Sequence, residues 1–251
     1  MVELDLATGI GRLTLDAPPL NILTRDVLAG IRAALAELAE EPALRVLLLR
    51  AAGKHFSAGA SVEEHLPPAC DGMIPEFGRT VMALHDFPLP VVAAVQGRCL
   101  GGAFELVQAA DLVVAAEDAV FGQPEIALGV FPPAACALLP ARAGSPLAAE
   151  LLFTGDPVDA RRALALGLVA RVAPADHLDG EALALAGRIA RHSGAALRQT
   201  KRALRQASGA GAAAGVERAT RIYLDGLMRT HDALEGLRAF VEKRRPEWSD
   251  R

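Results

Sequence analysis

The chain is poor in aromatic side chains, poor in cysteine and free of long uninterrupted apolar runs. Aromatics make up 4% of its 251 residues, so the core must be assembled mainly from alanine, leucine and valine. The same scarcity removes the interleaved aromatic and arginine platforms that stack nucleobases. No basic run replaces them, and the net charge is a mild −4, so nucleic acid is not an expected partner. Cys70, Cys99 and Cys136 are widely spaced, with no C-x-x-C pair. That argues against a disulfide framework or a zinc site and fits free thiols in a reducing cytosol. No apolar run approaches the roughly 18–20 residues that span a bilayer. The start, Met1-Val2-Glu3-Leu4-Asp5, is acidic and lacks the charged-then-apolar order of a signal peptide. The expectation is a soluble, cytoplasmic protein with no membrane partner.

What is present is a hydrophobic content of 52%, enough for one large α/β domain with a short appendage. Ile10 to Leu15 alternates as a strand and stops at Asp16-Ala17-Pro18-Pro19. Thr24 opens a helix in which Val27, Leu28, Ile31, Leu35 and Leu38 recur at helical spacing, ended by Glu41-Pro42. Arg45 to Leu49 and Pro90 to Val95 are apolar runs of the kind covered on both faces. Helices are expected at Val81 to His85 and Gly102 to Ala110, and strands at Leu112 to Ala115 and near Ala119 to Phe121. This alternation indicates an α/β fold with right-handed crossovers. From Ser145 onward strand signals fade. Ser145-Pro146 reads as an N-cap with proline behind it, and Asp159 opens a helix that Gly167 closes. Ala182 to Phe240 is helical in pattern, broken by the Gly/Ala stretch Ser208 to Gly215.

Three glycine-bearing segments carry the chemistry. They are Phe56-Ser57-Ala58-Gly59-Ala60, Gly101-Gly102-Ala103-Phe104-Glu105-Leu106 and Gly122-Gln123-Pro124-Glu125-Ile126. The second follows a strand and opens a helix, where small residues let backbone N–H groups approach a ligand and the helix dipole favours negative charge. It is not G-x-G-x-x-G and follows a late strand, so it is no dinucleotide fingerprint. Ser-Ala-Gly-Ala alone is a turn. Paired with Gly101-Gly102 it becomes half of a candidate two-donor oxyanion hole. Glu105 and Glu125 both sit among apolar neighbours, where desolvation raises a carboxyl pKa toward neutrality. Either one alone would read as a structural carboxylate. His65 follows Glu63-Glu64 in the loop beyond Ala60 and reads first as a solvated loop histidine. Ser57 and Ser61 lack the G-x-S-x-G elbow of a serine hydrolase.

In this order the three segments resemble the crotonase superfamily, also called the enoyl-CoA hydratase/isomerase family. The resemblance runs from the strand near Ile10 to Trp248. It implies a spiral of ββα turns over residues 1–190. It also implies a helical C-terminal region over 191–251 that builds trimers, often paired into hexamers. It matches Ala60 and Gly102 to the residues whose N–H groups hold a thioester oxygen, and Glu105 and Glu125 to the two glutamates of the hydratases. Keeping both favours water addition, with Glu125 as proton donor to carbon and Glu105 as water activator. Ala58, Ser61, Val62, Gly101 and Phe131 match substrate contacts. Lys201 and Arg202 match the approach to the nucleotide, although a solvated helix face explains them as well. No metal-ligand spacing is present, and the resemblance implies no cofactor beyond the coenzyme A of the substrate. His55 to Pro67, Leu128 to Ala135 and Tyr223 to Leu237 depart from the common family pattern. They are similar to the branch that hydrates a cyclic dienoyl-CoA thioester. Phe131-Pro132-Pro133 stiffens a loop near Glu125. With Pro67-Pro68 it is expected to shape a short, wide acyl pocket. The alternatives are a general short-chain enoyl-CoA hydratase, an isomerase, a ring-opening hydrolase, or a silent acyl-CoA-binding subunit.

Overall fold

A computed structural model describes residues 2–5, 7–207, 223 and 225–251. Within these residues the strands run β1 (Val2–Asp5), β2 (Ile10–Leu15), β3 (Val46–Ala51), β4 (Val91–Val95), β5 (Arg98–Leu100), β6 (Leu112–Ala116), β7 (Val120–Gly122), β8 (Val158–Asp159) and β9 (Arg171–Ala173). One six-stranded sheet has the order β1-β2-β3-β4-β6-β9. A three-stranded sheet has the order β5-β7-β8. Pairing is parallel from β2 to β9, with β1 antiparallel at the edge and β8 antiparallel to β7.

The helices are α1 (Arg25–Ala39), α2 (Cys70–His85), α3 (Gly102–Ala109), α4 (Pro133–Ala143), α5 (Ser145–Thr154), α6 (Ala160–Ala165), α7 (Leu178–Ala190), α8 (Gly194–Ala207) and α9 (His231–Val241). Successive residues of a strand face opposite sides, and β3 shows the consequence. Leu47 and Leu49 enter the main core with Leu28, Leu35 and Phe104. Val46 and Leu48 enter a second core against Ala182, Leu185 and Ala186 of α7. The central strands are therefore buried on both faces, which is why they read as unbroken apolar runs. No described helix is long and apolar enough to cross a membrane.

Several elements differ from the sequence reading. α2 starts at Cys70, not near Val81. Gly72, Pro75 and Gly78 lower its intrinsic propensity, but Met73, Phe77, Thr80, Val81 and Leu84 form a buried stripe that holds it by tertiary packing. Strands β1, β5, β8 and β9 were not expected. The longest of these has four residues, too few for a periodic signal. Ser145 is not the cap of α5: Gly144, at φ +81°, takes that position and no side chain caps the helix. Asp159 does cap α6, accepting from the Arg162 N–H at 2.7 Å, and Gly167 follows it at φ +74°. The stretch Ser208 to Gly215 lies outside the described residues.

The C-terminal segment is tied to the spiral by Asp250, which pairs with Arg45 at 3.0 Å and accepts from the Gly194 N–H at 2.7 Å. A second tie is built on Asp111. Its carboxylate accepts from Lys201 Nζ (2.7 Å), Arg205 Nη2 (2.7 Å) and the Val91 N–H (2.8 Å), while Lys201 also donates to the Leu89 carbonyl at 2.9 Å. Burial pulls the Lys201 ammonium below its ordinary pKa, and Asp111 opposes that pull. Removing one member of such a cluster strands a buried charge. Asp111→Ala is expected to destabilise the protein by about 3 kcal/mol in urea unfolding, with the Asp111→Ala/Lys201→Met double variant recovering part of that loss.

Candidate functional site

Two backbone segments are laid side by side by the small sheet. The Ser57 N–H donates to the Arg98 carbonyl (3.1 Å) and the Leu100 N–H to the Ser57 carbonyl (3.2 Å). A bridge between Leu23 and Ala60 fixes the other side. Ala60 thereby comes against the start of α3. A Cβ placed on Gly102 would lie 3.2 Å from the Ala60 Cβ, and one on Gly59 would lie 3.7 Å from the Gly102 nitrogen. Gly102 is the first residue of α3, so its N–H has no intrahelical acceptor. Among the described residues, neither this N–H nor that of Ala60 donates to another protein group. Two unspent donors are therefore adjacent, on residues that line one cavity.

Gly101 makes the turn into the helix at φ +54°. A Cβ there would meet Glu125 Oε1 at 2.6 Å, so only glycine lets that carboxylate lie against the turn. Glu125 is carried by a 3-10 turn, Pro124–Leu128, that directly follows β7. The orientation of the Gln123 amide follows from its neighbours: it donates to both Glu125 oxygens (3.1 and 3.3 Å) and accepts from Gln108 Nε2 at 3.1 Å. Glu105, one turn into α3, is 3% exposed. Its Oε1 accepts from the backbone N–H groups of Ala134 (2.7 Å) and Ala135 (2.9 Å), at the start of α4.

Burial, with the charge of Glu125 adding to it, raises the Glu105 pKa to about 7, against the opposing pull of the two amides. Burial also raises Glu125, while its backbone hydrogen bond and the nearby His65 pull the other way. Both carboxylates open on a cavity of 260 Å³ that is also lined by Ala58, Ala60, Gly101 and Gly102. The rest of its wall is mostly apolar, with Val62, Met73, Ile74, Phe77, Leu128 and Phe131 among its residues, and it also includes His65. This arrangement can hold an oxyanion and exchange protons beside it.

The model of the enoyl-CoA hydratase/isomerase family matches residues 5–251. The chain belongs to the enoyl-CoA hydratase/isomerase family. Family members act on acyl-CoA thioesters. A cyclohexa-1,5-dienecarbonyl-CoA hydratase from Thauera aromatica is 44% identical over 243 residues, covering 96% of this chain and 93% of that protein. A probable enoyl-CoA hydratase from Mycobacterium tuberculosis is 37% identical over 254 residues, covering 100% of this chain and 98% of the other. The crystal structure of an enoyl-CoA hydratase from Bacillus anthracis superposes with a TM-score of 0.93 at 32% identity, covering 100% of this chain and 99% of that one. The crotonase-type α/β fold is thus shared across the chain.

Most of the family-matched residues converge, and some do not. Ala58, Val62, Gly101 and Phe131 reach the cavity wall. Ser61 does not: its hydroxyl accepts from the Glu64 N–H at 3.4 Å and its N–H donates to the Leu23 carbonyl at 3.2 Å. Lys201 is neither a solvated helix residue nor part of this cavity's wall, because its side chain is 6% exposed and its ammonium is committed to Asp111 and Leu89. Pro67-Pro68 stays off the cavity wall, and α2 supplies that side through Met73, Ile74 and Phe77. Sequence reasoning missed those three. Their spacing with Val81 and Leu84 was the available signal, masked by Gly72, Pro75 and Gly78. It also missed Gln108, which no motif marks, and assigned no role to Gln123 although that residue lies in the third glycine segment.

The raised Glu105 pKa links stability to pH. Glu105 holds its proton more tightly folded than unfolded, so the stability this contributes is present below 4.5 and lost as pH rises through about 7. Glu105→Gln keeps the amide contacts but cannot ionise. Its stability relative to the parent should rise by about 2–3 kcal/mol between about pH 5 and about pH 8, read by urea unfolding at both ends. A pH-independent difference would mean that Glu105 titrates normally.

Proposed function

We propose that the protein is a hydratase that adds water to an α,β-unsaturated CoA thioester, with a cyclic dienoyl acyl group as its substrate. The observation that carries this reading is the convergence of two unspent N–H donors and two carboxylates on one mostly apolar cavity. The thioester carbonyl accepts from the N–H groups of Ala60 and Gly102. Enolate character grows on that oxygen in the transition state, so these bonds strengthen when they are needed.

Water sits between Glu105 and Glu125. With Glu105 Oε1 held by Ala134 and Ala135, Oε2 is left to take the proton from the attacking water. A carboxyl whose pKa lies near 7 can take and return a proton at neutrality. Glu125, held against Gly101 by Gln123, gives a proton to carbon. For a dienoyl ring the addition spans the conjugated system and leaves a hydroxylated cyclohexene thioester. The ring assignment is supported by the activity named for the Thauera aromatica relative and by the compact apolar wall that includes Phe131, Pro132 and Pro133. The second reading, a general short-chain enoyl-CoA hydratase, is supported by the name of the mycobacterial relative. Under the same proposal, residues 191–251 assemble the chain into trimers or paired trimers.

The test is hydration of cyclohexa-1,5-diene-1-carbonyl-CoA against crotonyl-CoA by the parent protein, Glu105→Gln and Glu125→Gln. The expected outcome is a ring preference, with kcat reduced about 10²–10⁴-fold in each variant. Crotonyl-CoA preference would assign the short-chain reading. Thioester binding without turnover in the parent would make the protein a silent acyl-CoA binder.

A further inference from the structure

Glu105 and Glu125 are not the only polar side chains on the cavity wall. His65 is the third, and the hydration chemistry leaves it without a task. It closes the 3-10 turn Glu63–His65, and its ring nitrogen Nδ1 lies 2.7 Å from the carbonyl oxygen of Ser61. A carbonyl only accepts, so Nδ1 carries the proton. In the neutral ring, Nε2 is then a bare acceptor. No hydrogen bond among the described residues uses it. The tether also fixes the place of the ring. Ser61 follows the oxyanion donor Ala60 directly and is pinned to the Leu23 carbonyl through its own N–H at 3.2 Å. His65 and Glu125 line the same cavity.

An unspent acceptor on the wall of this cavity, on a ring fixed by its own backbone, is suited to an occupant that brings a hydroxyl. Resting on the hydratase reading above, we propose that His65 Nε2 accepts a hydrogen bond from the hydroxyl of the bound hydroxyacyl-CoA. His65 is thereby a specificity-determining residue that separates hydroxylated from unhydroxylated acyl thioesters. It transfers no proton. An unhydroxylated acyl group leaves Nε2 desolvated and unpaired, which weakens its binding relative to the hydroxylated one.

Titration calorimetry with matched thioesters tests this. One pair is the hydroxycyclohexenecarbonyl-CoA formed by ring hydration and cyclohexenecarbonyl-CoA. The other is 3-hydroxybutyryl-CoA and butyryl-CoA. A Glu105→Gln background slows turnover during the titration. Adding His65→Leu should weaken the hydroxylated member by about five- to ten-fold and leave the other within about two-fold. Adding His65→Gln, whose amide can donate to Ser61 and accept from the hydroxyl at once, should keep most of the discrimination. Equal weakening of both members in His65→Leu would make the ring mere packing and overturn the proposal, as would no change in either. Activity of the parent protein separates the two levels. Hydration by the parent with unchanged discrimination in the variants rejects only the role of His65, whereas absence of hydration rejects the hydratase reading and this inference with it.

Discussion

The contact on which the site depends is the one between the Glu105 carboxylate and the first free amides of α4. α3 is buried along its whole length, so a carboxylate within it needs partners at a defined place. Ala134 and Ala135 supply them. These N–H groups are orphans of helix geometry, and the dipole of α4 adds to their pull on an anion. Burial pulls the other way and prevails, leaving the group near neutrality in its proton affinity. The same contact sets the position of α4 relative to α3, and with it one side of the acyl cavity.

Glu125 is held by a different device. It stands on a short turn outside the core, and its position is set from beneath by Gln123 and Gln108 and from the side by the bare backbone of Gly101. The two carboxylates thus differ in support as well as in burial: one is anchored by a helix terminus and the other by a side-chain amide relay. Unequal environments of this kind separate the proton affinities of two neighbouring carboxyls.

Much of this was legible in the residues. The unbroken apolar runs gave the central strands because burial on both faces erases alternation, and Thr24 and Asp159 marked helix starts because their side chains cap them. The glycine segments marked the site because close backbone approach demands small residues there. What stayed hidden depends on tertiary context. α2 is helical despite Gly72, Pro75 and Gly78 because its buried stripe packs on the core, and local propensity argued against that. Lys201 reads as a surface cation in any window, and only the fold shows Asp111 and Leu89 closing over it. Gln108 and Gln123 lie fifteen positions apart in the chain and carry no pattern that would pair them.

Pro132 and Pro133, described above as part of a stiff loop, also act by subtraction. Proline has no N–H, so the chain entering α4 offers no donor until Ala134. By the next position, Cys136, the amide is already spent on the Pro132 carbonyl. Only a two-residue window of free donors remains, and Glu105 occupies both. The prolines thus work as a phase marker for the helix: they decide which amides are left to meet the carboxylate, and a one-residue insertion or deletion beside them would retune the site without changing any residue that touches substrate.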